Sequence, residues 1–550
     1  MSVPNSVQDQ LSPDQLSRPR QLPKQHWSDA QPWQTNAALI FLGACLFLLS
    51  RHLTFEYDTY TIGFSGTSAW SSWCYVLACS LVLFGPTDGL TSPIILSIAI
   101  ACRLATLFSD PYLSSDIYRY VWDGIVQHAG INPYRYVPAD AHLAFLRDAS
   151  EGNIYPAINR ADYAHTIYPP VAQMLFWLIT FLSPTIICMK TVMVLFEGLT
   201  LWTILKLLDH LGRPREQAIL YAWCPLLIWE IAGSGHLDSA VMAFIGLALL
   251  FRYRQRPVLT GVFLALAVLT KFYPLVLFPA LYLRKPAIDP QTGNRRSFLQ
   301  TLDWKMPATM LAVAIPAYAL YSSVGKLVFG FLGGYVKEEG IDTGTRYFLL
   351  EQAQHLPGVH QISPAAFILF SVAVLTALTI WAFKVSSPVP PEVAGLRPAS
   401  LSSRPKQSEV EGPASRRATA SGAPSSRSLI AKGWGLPRDR NLFPGQWHSP
   451  GAAFLRPAFA LAAALMLLFS PHYPWYVAWL LPLFALLPNL PALAYILGLF
   501  YLCTTSLAEG YGPKQFLLNQ ILYSGVGLAT VIHLALHRWP LHHAFRRSEA

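Results

Sequence analysis

The chain has 550 residues, of which 53% are hydrophobic and 13% are charged, and its mean hydropathy is +0.36. Soluble globular domains carry about a quarter charged residues, so this composition excludes a soluble enzyme and predicts an integral membrane protein. The net charge of +10 is modest and lies mostly in short loops and one linker, which indicates membrane topology rather than a nucleic-acid surface. The seven cysteines stand singly, without a CxxC pair, so neither a disulfide framework nor a zinc site is predicted.

The chain begins with a polar segment, residues 1–36, that is rich in Gln, Ser and Pro. This segment is too long and too polar for a cleaved signal peptide, so we predict a disordered cytoplasmic tail. Apolar runs of about 15 to 22 residues follow, close to the length that a helix needs to cross a bilayer core of roughly 30 Å. Alternating strand patterns are absent, which favours an α-helical bundle.

The predicted fold is therefore an all-α, polytopic membrane bundle with about 13 to 14 transmembrane helices. The candidate spans lie at about 37–53, 71–86, 92–108, 186–207, 217–232, 238–252, 257–271, 273–284, 306–326, 363–383, 453–469, 475–488, 491–506 and 516–536.

A large polar loop, residues 109–185, separates the third and fourth spans. Basic residues in the N-terminal tail keep that tail inside, so the loop is predicted to be extracytoplasmic. Its end, Pro169 to Leu182, is apolar, but fourteen residues rise only about 21 Å. We predict that this segment dips into the membrane without crossing it, because the clusters of Lys and Arg in the later loops then lie on the cytoplasmic side. If the segment crosses the membrane, every later loop lies on the opposite side.

The 109–185 loop contains an amphipathic helix pattern that begins after a candidate N-cap, Ser115. One face carries polar residues and the other apolar residues: Asp116, Arg119, Tyr120 and Asp123 against Ile117, Val121 and Ile125. Such a helix is expected to lie on the membrane surface with its apolar side down and its carboxylates toward solvent.

Residues 385–452 are dense in Pro, Ser, Ala and Arg. This composition predicts a disordered cytoplasmic linker. It separates an N-terminal bundle, residues 37–384, from C-terminal helices and a basic tail, residues 453–550.

In this topology, the unusual polar sequences collect on the outer side, which argues for a single site there. They are the 109–168 stretch, GSGHLD at 233–238, TKFYP at 270–274, KEEGIDTGTRYF at 337–348 and SPHYPWY at 470–476. A transporter would instead place ionisable groups in the middle of its spans. Only Lys190 and Glu197 stand there, seven residues apart, and we interpret them as a structural polar patch rather than a proton relay.

Five motifs carry a resemblance to a known family: SSDIYRYVWDGIVQHAGINPYRYVP, YPPVAQ, WEIAGSGHLDS, LTKFYPLVLFPALYL and SPHYPWYVAWLLPL. In their order and spacing the chain resembles the polyprenyl-phosphate-dependent mannosyltransferases of the membrane GT-C superfamily, including the bacterial α-mannosyltransferases. The resemblance covers most of residues 90–540 apart from the linker. It implies a catalytic carboxylate in the first large extracytoplasmic loop and a lipid-phosphate sugar donor. Relatives often have two adjacent acids where this chain has Ser115 and Asp116, which leaves Asp116 as the single matching candidate.

Transfer from a polyprenyl phosphosugar needs a base for the acceptor hydroxyl and cations for the departing phosphate. Asp116 is the predicted base, with Asp123 and Asp110 as alternatives. The candidates for binding the phosphate are Lys271, His236, His472 and Arg119.

Each candidate has a structural alternative. Arg119 can pair with Asp116 or Asp123, and Lys271 can extend to the lipid headgroups. Asp238 can orient His236 or cap the next helix. The ring of Tyr168 can bind a sugar or serve in an aromatic belt.

The predicted function is transfer of a hexose, with mannose implied by the resemblance, from a polyprenyl-phosphate donor to a lipid-linked or glycan-linked acceptor at the outer face of a bacterial plasma membrane. Membrane lipids are the other expected partners, and no nucleic acid is expected. No nucleotide-sugar motif is present, and the loop acids form no obvious metal ligand set, so no cofactor is predicted. A lipid-linked oligosaccharide flippase and a non-catalytic scaffold are the rival hypotheses.

Overall fold

The computed structural model of the chain describes residues 30–53, 62–111, 113–149, 154–285, 288–289, 291–356, 362–385, 452–471, 473–506 and 513–545. Most of the predicted tail, nearly all of the predicted linker and the candidate residue His472 lie outside these ranges. Within them the chain is helical, and its β-structure is one isolated bridge between Ile288 and Arg295. The predicted all-α fold class is confirmed.

The first group of helices in the described chain is α1 (Pro32–Leu53), α2 (Ile62–Phe84), α3 (Thr91–Leu107), α4 (Asp116–His128), α5 (Ala144–Ala149), α6 (Pro170–Leu182) and α7 (Ile186–His210). The next group contains several short helices: α8 (Ile219–Ala222), α9 (Pro225–Leu227), α10 (Asp238–Tyr253), α11 (Pro257–Thr270), α12 (Phe278–Leu281), α13 (Lys305–Leu320), α14 (Leu332–Glu338), α15 (Phe348–Gln354) and α16 (Pro364–Val385). The last group is α17 (Leu455–Phe469), α18 (Leu481–Leu486), α19 (Leu490–Ser506) and α20 (Pro513–Phe545).

Five of these helices contain a stretch long and apolar enough to cross a membrane: α1, α2, α7, α16 and α20. Two bent pairs raise the number to seven if each pair is one span: Pro225–Gly233 with α10, and α13 with Ser322–Glu338. Helical stretches coincide with the other predicted spans, but these are shorter apolar helices or are broken at prolines. The chain is a polytopic helical membrane protein, and the count of about 13 to 14 spans stays a prediction.

Helix α4 forms as predicted, but its predicted position on the membrane surface is wrong. Arg119 and Asp123 on its polar face are buried, as is Ile117 on its apolar face. Helix α6 packs against α4 and covers it. The side chain of Ser115 makes no capping bond, and instead the Oγ of Ser114 accepts a hydrogen bond from the backbone N–H of Asp116 at 3.2 Å.

Helix α6 has 13 residues and is therefore about 20 Å long, short of a full crossing. Its outer face exposes large apolar side chains to the surroundings: Met174, Trp177, Leu178, Phe181 and Leu182. The predicted dip into the membrane requires a short helix with one exposed apolar face, and the dip itself stays a prediction.

The two predicted mid-span charges do not pair with each other. Glu197 on α7 forms a buried ion pair with Arg103 on α3, which the sequence reading did not identify. Lys190 on α7 donates hydrogen bonds to the carbonyl oxygens of Thr106, at 3.1 Å, and Ser109, at 2.6 Å. Both side chains therefore tie α7 to α3, as expected of structural polar contacts.

Candidate active site

A cavity of ≈ 600 Å³ lies where four of the five polar stretches meet. The 109–168 stretch, the TKFYP stretch, the KEEGIDTGTRYF stretch and the SPHYPWY stretch all contribute to its wall. The fifth stretch, GSGHLD, lies directly behind this wall, because His236 stacks on Trp475 and Asp238 binds Lys271. The predicted convergence of these distant sequences on one site agrees with this geometry.

Asp116 lines the cavity from the first turn of α4 and is partly buried. Asn159 donates a hydrogen bond from Nδ2 to its Oδ1 at 3.3 Å. Burial raises the pKa of Asp116, while the charge of Lys271 and the hydrogen bond from Asn159 act in the opposite direction. Among the residues that the structure describes, no cation lies within ion-pair distance of this carboxylate.

The cations that line the cavity, in contrast, each have a carboxylate partner. The nitrogen to oxygen distances are 2.8 Å for Arg119 to Asp123, 2.6 Å for Lys271 to Asp238 and 2.7 Å for Arg160 to Glu338, and Arg346 pairs with Glu339. Asp116 is thus the cavity carboxylate without an ionic partner in the described part of the chain. An unpaired carboxylate in a cavity is free to accept a proton.

Arg119 and Asp123 belong to a buried network inside the α4 and α6 pair. Asp123 accepts one hydrogen bond from Arg119 Nε and another from Gln173 Nε2, at 2.9 Å. Gln173 also donates to Thr166 Oγ1 at 2.8 Å, and Arg119 donates to the carbonyl oxygen of Ala164 at 3.0 Å. Asp123 does not line the cavity, whereas Arg119 does. Of the two predicted partners of Arg119, Asp116 and Asp123, the structure shows Asp123.

Asp238 and Lys271 form a second buried arrangement. Lys271 Nζ donates to Asp238 Oδ2 at 2.6 Å, and the Tyr273 hydroxyl donates to Asp238 Oδ1 at 2.8 Å. Asp238 therefore neither caps α10 with its side chain nor hydrogen-bonds to the ring of His236. Lys271 lines the cavity with a side chain that is 14% exposed, rather than extending to lipid headgroups.

His236 is fully enclosed behind the cavity wall. Its ring stacks on Trp475 with the ring centroids 4.3 Å apart, and Trp475 in turn stacks on Tyr473 at 4.5 Å. Its Nε2 lies 3.2 Å from Oε2 of Glu230, a buried acid in the π-helix Ile228–Gly233. His236 thus supports two aromatic rings that face the cavity.

Two further predicted positions remain. Tyr168 lines the cavity and packs edge-on against Tyr120, with ring centroids 5.0 Å apart. His472 lies outside the described residues, but its neighbours Pro471 and Tyr473 line the cavity. The alternative base Asp110 is exposed and does not line the cavity.

Several residues that line the cavity were not among the site residues predicted from the sequence: Asn159, Arg160, Tyr335, Glu339, Arg346, Trp475 and Tyr476. Most of them lie within the polar stretches defined from the sequence. The acid and arginine pattern of KEEGIDTGTR was a usable signal, because acids and an arginine that lie close together in sequence can form an ion pair. In the described ranges, no group of three or more His, Cys, Asp and Glu residues could hold a metal ion.

Residues 51–285 match the family model of the alpha-(1->6)-mannopyranosyltransferase N-terminal domain. The chain is a glycosyltransferase, and over this segment, somewhat less than half of its length, it is similar to this mannosyltransferase family. The matched segment contains Asp116 and Lys271, whereas Arg346 and Trp475 lie C-terminal to it. Neither the curated proteins nor the solved structures gave a match to the chain.

Proposed function

We propose that this mannosyltransferase takes mannose from a polyprenyl-phosphate donor and transfers it to a lipid-linked or glycan-linked acceptor at the extracytoplasmic face. The amphipathic cavity is the observation that carries the donor assignment. One part of its wall is charged and includes Asp116 and Lys271, and another part is apolar and includes Leu465, Met466 and Phe469. A charged sugar phosphate on an apolar isoprenoid chain has the same two chemical parts.

Asp116 supplies the base in this proposal. The acceptor hydroxyl passes its proton to Asp116 while its oxygen bonds to the anomeric carbon of mannose. The bond from that carbon to the phosphate oxygen breaks, and the polyprenyl phosphate leaves with the electron pair. Attack from the face opposite the leaving group inverts the anomeric configuration, and no enzyme nucleophile is required.

The direction of the helices supports an extracytoplasmic cavity. Helix α10 begins at Asp238, beside the cavity, and α11 ends just before Lys271, also at the cavity. The turn between these two helices therefore lies at their other end, about 24 Å away along α10. That turn carries Arg252, Arg254 and Arg256, and clustered arginines favour the cytoplasmic side.

The test uses the purified full-length chain with radiolabelled polyprenyl-phosphomannose and a lipid-linked mannoside acceptor. We expect transfer by the wild type and a loss of about 100-fold or more for Asp116→Asn, because a positioned general base contributes roughly that much. Asp110→Asn is the matched control, since Asp110 is an exposed acid outside the cavity wall. No transfer by the wild type would refute the donor assignment, and full activity of Asp116→Asn would refute the base assignment.

A further inference from the structure

Arg346 occupies a distinct position in the cavity wall. Its side chain is 5% exposed, and its Nε donates to the carbonyl oxygen of Phe469 at 3.2 Å. Phe469 belongs to the apolar part of the wall, while the Tyr476 ring centroid lies 5.8 Å from the guanidinium carbon of Arg346. Arg346 therefore stands at the boundary between the apolar and the polar parts of the cavity.

The anion position beside Arg346 is filled by Glu339. The Glu339 carboxylate is 7% exposed and contacts Nη1 of Arg346. Two hydroxyls lie close by, because those of Tyr335 and Tyr476 hydrogen-bond to each other. Both tyrosines line the same cavity as Asp116 and Arg346.

Glu339 comes from a segment that covers the cavity from outside, residues 331–341, which includes α14. The segment is held at its edge by few contacts. The N–H of Phe331 donates to the carbonyl oxygen of Thr166 at 3.4 Å, and Glu338 pairs with Arg160, whose side chain is 33% exposed. An exposed ion pair of this kind contributes little stability. Glu339 thus lies on a short, partly exposed segment, whereas Asp238 and Asp123 lie on helices inside the bundle.

Lys271 and Arg119, in contrast, are held by acids that lie inside the bundle. Asp238, the partner of Lys271, is fully buried at the start of α10 and also binds Tyr273. Asp123, the partner of Arg119, is buried between α4 and α6 and also binds Gln173. Separating either pair would leave two buried charges unpaired, which is costly. The Arg346 and Glu339 pair is equally buried, so Glu339 can leave Arg346 only if another anion takes its place.

We propose that Arg346 binds the phosphate of the lipid donor and that Glu339 occupies this position until the donor arrives. This inference rests on the proposed function and deepens it by naming the phosphate site. A phosphodiester carries one negative charge, so its exchange for Glu339 leaves the charge around Arg346 unchanged. After transfer the leaving group is a phosphate monoester with more negative charge, which the planar guanidinium stabilises through paired hydrogen bonds.

The experiment measures binding of farnesyl phosphate to the purified full-length chain in detergent by isothermal titration calorimetry, with farnesol as the uncharged comparison. We expect Arg346→Gln to weaken farnesyl phosphate binding about ten-fold or more, since a hydrogen bond to a charged group is worth roughly 1.5 kcal/mol or more. Farnesol binding should be unchanged. Glu339→Gln should tighten farnesyl phosphate binding, because the competing carboxylate is neutralised.

Asp342→Asn is the matched control, because it removes one negative charge from an exposed acid three residues away that does not line the cavity. The inference predicts a clearly larger gain for Glu339→Gln than for Asp342→Asn. Equal gains would mean that only the general charge of the segment matters, and this would overturn the proposed exchange. Unchanged farnesyl phosphate binding by Arg346→Gln would overturn the phosphate site. Size-exclusion profiles and melting temperatures identify any variant that has not folded.

The failure of this inference is distinguishable from a failure of the proposed function. If the wild type transfers mannose from polyprenyl-phosphomannose and Arg346→Gln does so with an unchanged KM, the phosphate site is wrong and the donor assignment stands. If Arg346 is required for farnesyl phosphate binding but the wild type performs no transfer from polyprenyl-phosphomannose, the phosphate site stands and the proposed reaction is wrong.

Discussion

Asp116 combines partial burial with the absence of an ionic partner in the described part of the chain, and this combination predicts a pH dependence. Burial raises the pKa of Asp116, and the hydrogen bond from Asn159 lowers it. A base acts only when it is deprotonated, so activity should fall as the pH drops through the pKa of Asp116. Asn159→Ala removes a donor to the ionised carboxylate, which raises this pKa further.

We therefore expect the acid limb of the kcat/KM profile to move to higher pH in Asn159→Ala. The profile of labelled mannose transfer against pH measures this limb. His142→Ala, an exposed change in the same loop outside the cavity wall, serves as the control. A shift to lower pH, or an equal shift in the control, would contradict the role of Asp116 as the base.

The Arg119 and Asp123 pair predicts a large effect on stability. Both side chains are nearly inaccessible, at 8% and 2% exposure, so Asp123→Asn leaves a buried guanidinium without its counter-charge. Breaking such a pair costs about 3 to 5 kcal/mol, and we expect a clear drop in the melting temperature of the detergent-solubilised protein. Arg119→Met combined with Asp123→Asn should recover part of this loss, whereas an additive loss would argue against the pairing.

The sequence located the site at the level of stretches better than at the level of single residues. Asp116 and Lys271 were predicted and both line the cavity, because polar residues at the ends of apolar runs have few other places to lie. Arg346 and Arg160 were missed, since their importance depends on a loop fold that local periodicity does not encode. The burial of Asp123 could not be predicted from the sequence either, because only the tertiary structure shows that Gln173 and Arg119 donate hydrogen bonds to its carboxylate.

At the scale of elements, α4 was correctly predicted as a helix, but its predicted surroundings at the membrane surface were wrong. Its residue spacing predicted one polar and one apolar face, and a surface position followed from that pattern. In the structure, α6 covers α4, and the polar face is satisfied by internal pairing. The hydrophobic pattern shows which face of a helix is polar and which is apolar. It does not show what packs against each face, which for α4 is α6, about fifty residues away in the sequence.

The turn before α10 provides a test at this scale. Gly235 has a φ of 73°, and a Cβ at this position would overlap Cδ1 of Ile117 on α4. Gly235→Ala should therefore lower both stability and activity, because the backbone strain alone costs roughly 1 to 2 kcal/mol and the overlap forces the buried side chain of Ile117, the residue next to Asp116, to move.

Gly89→Ala is the control for this change, since a Cβ at Gly89 meets open space. The measurements are the melting temperature and the rate of mannose transfer. Normal stability and activity of Gly235→Ala would show that the contact between this turn and α4 does not position the site.

At the scale of the whole molecule, composition and hydropathy were sufficient to predict a polytopic helical membrane protein. They were not sufficient to define the individual spans. Prolines inside apolar runs, such as Pro225 and Pro279, divide several of these runs into short helices. A hydropathy pattern cannot reveal such breaks, because a broken helix and a continuous one bury the same apolar residues.

The remaining whole-molecule question is which side of the membrane the cavity faces. Gly261 near the start of α11 abuts the backbone of Met306 near the start of α13, so the loop that precedes α13 lies at the end of the bundle opposite the cavity. That loop contains Gln291, whereas Phe145 lies on α5 in the loop that forms the cavity, with 56% of its surface exposed. The two positions therefore report opposite sides.

In a variant whose seven native cysteines are replaced, we expect Phe145→Cys to react with a membrane-impermeant maleimide on intact cells, and Gln291→Cys to react only after permeabilisation. The reason is that the basic turn between α10 and α11 should stay inside while α6 dips without crossing. Labelling of both positions on intact cells would mean that α6 crosses the membrane, whereas the reverse pattern would mean that the whole bundle is inverted and that the cavity opens to the cytoplasm. A lipid-linked donor would then have to be presented on that side.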